Sequence, residues 1–302
     1  MTQEPVITDP MARPEGIVET VKTYVALTKP RIIELLLITT VPSMVLAAGR
    51  WPSTWLVLAT LIGGSFSAAG ANAINSYVDR DIDPIMRRTS LRPLARKVVP
   101  PEHALRFGVV LGAIGFVWLW ATTNLLAATL STSALFFYVF VYSIWLKRST
   151  PQNIVIGGAA GAAPVLVGWA VVTGSLALEA WLFFAIVFYW TPPHFWALSM
   201  KYKEDYAAAG VPMLPVVHGE ERTVRSIIRY AAILFLIAMF LGLAGNLGWV
   251  YLSVAAASSL WFLWESLRLL KDPSRAMKVF HYSNIHLAAL SAAMVADVLL
   301  AA

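Results

Sequence analysis

"NAINSYVDRDIDPIMRRTSLRPLARK", Asn72 to Lys97, interrupts a chain that is otherwise strongly apolar. It ends one stretch of membrane-spanning length and leads into the next. Within it, three aspartates stand beside five arginines and a lysine. Asn75, Asp79 and Asp83 recur at i, i+4 and i+8, so on a helix they form one stripe, extended by Asn72. Asp81 points elsewhere. Pro84 disfavours helical geometry at Asp83, which predicts a helix end there. Carboxylates at a helix C-terminus meet a dipole that is already negative. A cation must compensate, either an arginine or a divalent metal. Mg²⁺ is commonly held by one or two carboxylates while waters and substrate phosphates complete its shell. Arginine forks suit phosphate oxygens. The stretch therefore reads as a Mg²⁺–diphosphate site or as a solvated cluster of paired charges. Acids on one stripe at a membrane edge favour the first.

The rest of the chain supports the membrane setting. Of 302 residues, 58% are hydrophobic and 13% charged, against about 25% charged in soluble domains. Mean hydropathy is +0.68. The class is an all-α polytopic membrane protein. Cysteine is absent, which excludes disulfides, thiolate metal sites and cysteine nucleophiles. Residues 1–24 read as a short cytoplasmic tail and 25–302 as a single transmembrane domain.

Windows of about 20 apolar residues give nine expected spans, near residues 30–49, 53–76, 105–123, 126–145, 153–173, 178–199, 228–246, 248–266 and 281–301. Lys and Arg crowd the region before the first span and the loops after the even-numbered ones; the opposite links hold only Arg50. By the positive-inside rule the N-terminus and the Asn72–Lys97 loop are cytoplasmic. Trp51, Trp55, Trp145, Trp181 and Trp249 sit near span ends, as an interfacial belt requires. The net charge of +6 thus lies on one face, where anionic lipid headgroups are its simplest partner. No soluble basic domain exists to bind nucleic acid.

A second polar group closes the sixth span, "YWTPPHFWALSMKYKEDYAAAGVPMLP". Asp205 lies past a cytoplasmic helix end, Lys201 is four residues before it, and His194 lies on the Lys201 stripe. Pro192 and Pro193 should kink the helix. Lys147 and Arg148 mark the inner end of the fourth span, followed by Asn153. Gly157, Gly158 and Gly161 give the fifth span a small-residue face, for close packing or for a flat or long apolar substrate. Arg31–Glu34 and Glu265–Arg268 read as local salt bridges. Of five histidines, His194 could serve as a ligand, although satisfying a carbonyl freed by the prolines is its plainer role, and His281 and His286 open the ninth span, where contact with lipid headgroups is the plainer one.

At these residues the chain resembles the UbiA superfamily of intramembrane prenyltransferases. The first signature, NxxxDxxxD, stands as Asn75, Asp79 and Asp83. "LTKPRI", "LKRSTPQNIVIGG", "TPPHFWALSMKYKEDY" and "FHYSNIH" are similar to the branch that farnesylates haem. The second signature departs from the usual DxxxD, with Lys201 where an aspartate is expected, so a second metal held by paired aspartates is not implied. The resemblance implies a nine-helix bundle active at its cytoplasmic side, and with no organelle presequence visible the expected setting is a bacterial inner membrane. It implies farnesyl diphosphate as donor, haem B as acceptor and Mg²⁺ as cofactor, upstream of haem A synthase or oxidase assembly. Asn75, Asp79 and Asp83 would hold the metal, with Lys201 catalytic beside them. Arg88, Arg92, Lys147, Arg148 and Asn153 would take the diphosphate. His194, Trp196, Asp205 and His281 would face haem. A quinone-precursor acceptor is the alternative within this fold. A transporter is the alternative outside it, and there polar residues should recur at mid-membrane depth rather than at one face.

Overall fold

Backbone groups in lipid must pair within their own segment, so long apolar stretches fold as helices. The computed structural model describes residues 16–302, without the side chains of 31–37. Residues 1–15 and the expected Arg31–Glu34 pair lie outside the described residues.

Every regular element described is helical. A short α1 (Ile17–Thr28) leads through Lys29 into α2 (Pro30–Ala48). Then come α3 (Thr54–Val78), α4 (Pro101–Thr122) and α5 (Leu125–Phe136). From α5 the chain continues as a π-helix, Phe137–Leu146, and a last turn, α6 (Lys147–Ser149). The remainder is α7 (Asn153–Thr173), α8 (Leu178–Lys201), α9 (Lys203–Ala208), α10 (Leu214–Ala244), α11 (Trp249–Arg268) and α12 (Ala276–Ala301). Among the described residues seven helices are long and apolar enough to cross a membrane, which makes this a multi-pass membrane protein. The segment Ile38–Ala48 of α2 is apolar but shorter, and α8 is not among the seven. The polar run from Thr191 to His194 lowers the hydropathy of α8.

Successive helices pack side by side, and α12 returns against both α2 and α8. The result is a ring around a central space. Its largest apolar cluster joins α8, α10, α11 and α12 through Phe183, Ile186, Tyr251 and Phe262. A smaller one joins α2, α3, α5 and α7 through Met44, Val57, Ala127 and Val167. All five belt tryptophans are exposed. Pro192 and Pro193 are buried inside α8, which runs through them as one helix. Glu265 is buried and bonds both Arg268 at 3.1 Å and Arg275 at 2.8 Å.

Helices α3 and α4 approach each other backbone to backbone. A Cβ on Gly70 would stand 2.6 Å from the carbonyl oxygen of Gly108, and one on Gly115 would stand 2.8 Å from the Ser67 nitrogen. In lipid, contacts between small residues provide much of the association between helices. Gly70→Leu is therefore expected to cost about 3 kcal/mol, the upper end for overpacking. A thermal melt followed by size exclusion in detergent would read it as early aggregation; an unchanged melt would mean that the two helices separate freely.

Candidate active site

The helix carrying the acidic stripe stops sooner than Pro84 alone requires. α3 ends at Val78 with Asp79 as its C-cap, and residues 79–97 form turns and bends. The turns still hold Asp83 under the helix end, because its amide donates to the Asp79 carbonyl at 2.9 Å. Asn75, Asp79 and Asp83 are all buried and line one cavity of about 450 Å³ at the centre of the ring.

Cations converge on the stripe from distant parts of the chain. Lys147 Nζ donates to Asp79 Oδ2. Asn75 Nδ2 donates to that same oxygen at 2.9 Å and to Ser143 Oγ at 2.9 Å. Lys29 Nζ donates to Asn75 Oδ1. Arg92 clamps both oxygens of Asp83, at 2.8 and 3.0 Å. Arg88 reaches Tyr206 Oη at 3.3 Å and also lines the cavity. The polar end thus carries four basic side chains, Lys29, Arg88, Arg92 and Lys147, against two acidic ones, Asp79 and Asp83. Burial, with Arg92 close by, pushes the Lys29 ammonium down to about 7. Asp79 Oδ1 is buried with no hydrogen-bond partner among the described residues, and an orphaned carboxylate oxygen of this kind calls for a cation or water that completes it.

The π-helix explains how the facing wall is built. An α-helix turns about 100° per residue, which would put Lys147 on the face opposite Tyr138. A π-helix, with i→i+5 bonds and about 4.4 residues per turn, brings residues 138, 142, 143 and 147 onto one face. Tyr138, Tyr142 and Lys147 do line the cavity, and the two tyrosine rings stack at 5.4 Å. Phe136, Phe140 and Ile144 are exposed on the outer side.

Beyond the charged end the cavity is apolar. Gly157, Gly158, Gly161 and Pro164 form one wall. A Cβ on Gly161 would meet nothing within 4 Å. Trp190, His194, Phe195, Phe280 and Asn284 form another. His194 is buried and bonds Ser283 Oγ through Nδ1 at 2.8 Å.

Other residues expected at the site lie elsewhere. Arg148 points outward and pairs with Asp81 through two short bonds; the Arg148 hydrogen bonds hold the Asp81 carboxyl down to about 2. Lys201 is exposed at the end of α8 and does not line the cavity. Asp205 is buried but paired with Arg87 at 2.8 Å, which fastens the Asn72–Lys97 loop to α9. Asn153 is buried and donates to the Thr150 carbonyl at 2.7 Å. Trp196 packs edge-on to Tyr230, away from the cavity. His281 is exposed. Lys29, Tyr138, Tyr142, Ser143 and Asn284 are site residues that the sequence reading did not single out. "LTKPRI" and "FHYSNIH" contain two of them.

Among the described residues no three His, Asp or Glu side chains converge as a self-sufficient metal cage. Two carboxylates and an asparagine at the mouth of a cationic cavity still fit Mg²⁺, which keeps waters and takes substrate phosphate oxygens.

Residues 36–286 match the model of the UbiA prenyltransferase family. The chain is 50% identical over 284 residues to protoheme IX farnesyltransferase 2 of Saccharopolyspora erythraea, covering 92% of this chain and 87% of that one. It is 49% identical over 290 residues to protoheme IX farnesyltransferase of Clavibacter michiganensis subsp. michiganensis, covering 94% and 95%. Among solved structures, a digeranylgeranylglyceryl phosphate synthase superposes with a TM-score of 0.78 at 19% identity, over 93% of this chain and 99% of that one. A UbiA homologue from Archaeoglobus fulgidus bound to GPP and Mg²⁺ superposes with a TM-score of 0.67 at 18% identity, over 91% and 99%. Family model, close relatives and fold agree: this chain belongs to the UbiA prenyltransferase family.

Proposed function

We propose that this protein transfers the farnesyl group of farnesyl diphosphate to the 2-vinyl group of haem B, with addition of water, giving haem O and diphosphate. The observation that carries the reading is a single cavity with a cationic, carboxylate-bearing end and an apolar, aromatic-walled interior. The half-identical relatives named for this reaction support it.

Lys29, Arg88, Arg92 and Lys147 take the diphosphate oxygens. The Arg88, Arg92 and Lys147 head groups are in place before the substrate arrives, so they stabilise the charge that develops on the leaving group without reorganising. Asn75, Asp79 and Asp83 would hold Mg²⁺ at this end of the cavity. When bound, the ion supplies Lewis-acid neutralisation of the departing diphosphate. Burial and Arg92 lower the proton affinity of Lys29, and an anion beside it would raise that affinity. The glycine-lined wall takes the isoprenoid, and Tyr138 and Tyr142 keep water from the allylic cation. Trp190, Phe195 and Phe280 face the porphyrin, with His194 at its edge.

In the same reading the nine helices from α2 to α12, with α5, the π-segment and α6 counted as one and the short α9 left out, all cross the bilayer. Residues 1–24 and the loop after α3 are cytoplasmic, residues 25–302 form one domain, and the membrane is a bacterial inner membrane. Haem O passes to haem A synthase or to oxidase assembly.

The test is incubation of the purified protein with haem B, farnesyl diphosphate and Mg²⁺, with chromatography and mass measurement of the porphyrin. A haem heavier by one farnesyl and one hydroxyl, lost on chelation, is expected. Folded protein that leaves haem untouched and prenylates an aromatic acid instead would overturn the acceptor assignment.

A further inference from the structure

Two hydrogen bonds of the Ser283 hydroxyl point to the nitrogen of His194 that carries its proton. Ser283 Oγ donates to the Phe280 carbonyl at 2.7 Å. A hydroxyl has one proton to give, so the 2.8 Å contact with His194 Nδ1 is Nδ1–H donating into Ser283 Oγ. In a neutral imidazole the other nitrogen is then a bare acceptor. Nε2 has no hydrogen-bond partner among the described residues, and His194 lines the cavity. The ring cannot swing away. Trp190 stacks on it at 4.3 Å and Phe280 lies at 4.4 Å, while Trp190 Nε1 donates to the Ser283 carbonyl at 2.7 Å. A fixed lone pair in an aromatic wall is a proton acceptor awaiting a substrate.

We propose that His194 is the base that receives the proton of the water consumed in the reaction, and that Ser283 is the positioning residue that keeps it in the accepting tautomer. This rests on the haem-farnesylating reading of the same cavity. The steps balance. The C1–O bond of farnesyl diphosphate breaks and its electron pair leaves with the diphosphate. The vinyl π pair forms the new C–C bond to farnesyl C1 and leaves a cation on the vinyl carbon next to the porphyrin ring. The water oxygen forms a C–O bond at that carbon, and one of its protons passes to Nε2. The imidazolium then releases this proton to the diphosphate or to solvent. Nothing is oxidised or reduced.

The experiment compares the wild type with His194→Gln, Ser283→Ala and Ser283→Thr, each first shown to be monodisperse by size exclusion. Rates and products are measured with haem B, farnesyl diphosphate and Mg²⁺, and haem affinity by Soret titration. Loss of a general base is expected to lower turnover about 10²-fold in His194→Gln. Its farnesylated haem should shift toward a species lighter by one water, because a cation that is not hydrated loses a proton to form an alkene. Ser283→Ala should move the same way, Ser283→Thr should restore the hydroxylated product, and haem affinity should hold in all three. Hydroxylated product at the wild-type rate from His194→Gln would overturn the proposal. So would a defect cured by raising haem, which would make His194 an iron ligand or part of the binding wall. If His194→Gln does not fold, equal product mixtures from Ser283→Ala and Ser283→Thr would overturn it alone. A wild type that makes no farnesylated haem would instead defeat the underlying functional reading.

Discussion

Asp79→Asn is expected to lower prenyl transfer by about 10²–10³-fold while the protein remains folded. The amide keeps the shape of the carboxylate and can still accept from Asn75. It removes the charge that pairs with Lys147 and the buried oxygen, Oδ1, that has no hydrogen-bond partner among the described residues. That oxygen is the position at this site best suited to a metal ion. The loss should fall mainly on turnover and on the Mg²⁺ concentration needed for half-maximal rate, not on haem affinity. Initial rates over a Mg²⁺ titration decide it. A variant as fast as the wild type at low Mg²⁺ would reduce Asp79 to a structural partner of Lys147.

Lys147→Met should be the most destabilising single change in the site. The Lys147 side chain is 13% exposed and that of Asp79 only 1%, so the substitution strands a buried carboxylate. Removing one partner of a buried ion pair costs about 3–5 kcal/mol. The lower figure is expected here because the cavity admits water. The double variant Asp79→Asn with Lys147→Met removes both charges and should recover most of the loss. Melting of the four proteins without substrate gives the coupling directly. A single variant as stable as the wild type would show that the pair is held open to solvent.

These effects could be approached from sequence only in part. Positions of the long helices follow from hydropathy, since lipid leaves the backbone no alternative. The Asn75, Asp79 and Asp83 stripe follows from spacing, and the structure brings all three to one cavity. Which cations meet them does not follow, because a basic residue near a span end can turn either way. Lys147 faces inward to Asp79, while its neighbour Arg148 faces outward to Asp81. Asp205 resembles a second acidic site until Arg87 is seen against it. Lys29 joins the site across 46 residues of sequence, held by a left-handed backbone (φ 53°) between α1 and α2. Tyr138 and Tyr142 were invisible for another reason: a π-helix has no pattern distinct from an ordinary apolar span.

That π-helix sets different tolerances for replacement and for length. Ten residues, Phe137–Leu146, wind wide, and their outward side chains, such as Phe140 and Ile144, meet only acyl chains. Exchanging one of those for another apolar residue alters little. Deleting a single one, even from the lipid side, lets the segment relax to ordinary α winding and rotates everything after it by about a quarter turn or more. Lys147 would leave Asp79 although neither residue had changed. In a lineage of such sequences this span should accept substitutions and refuse insertions and deletions, the reverse of what is expected of a loop.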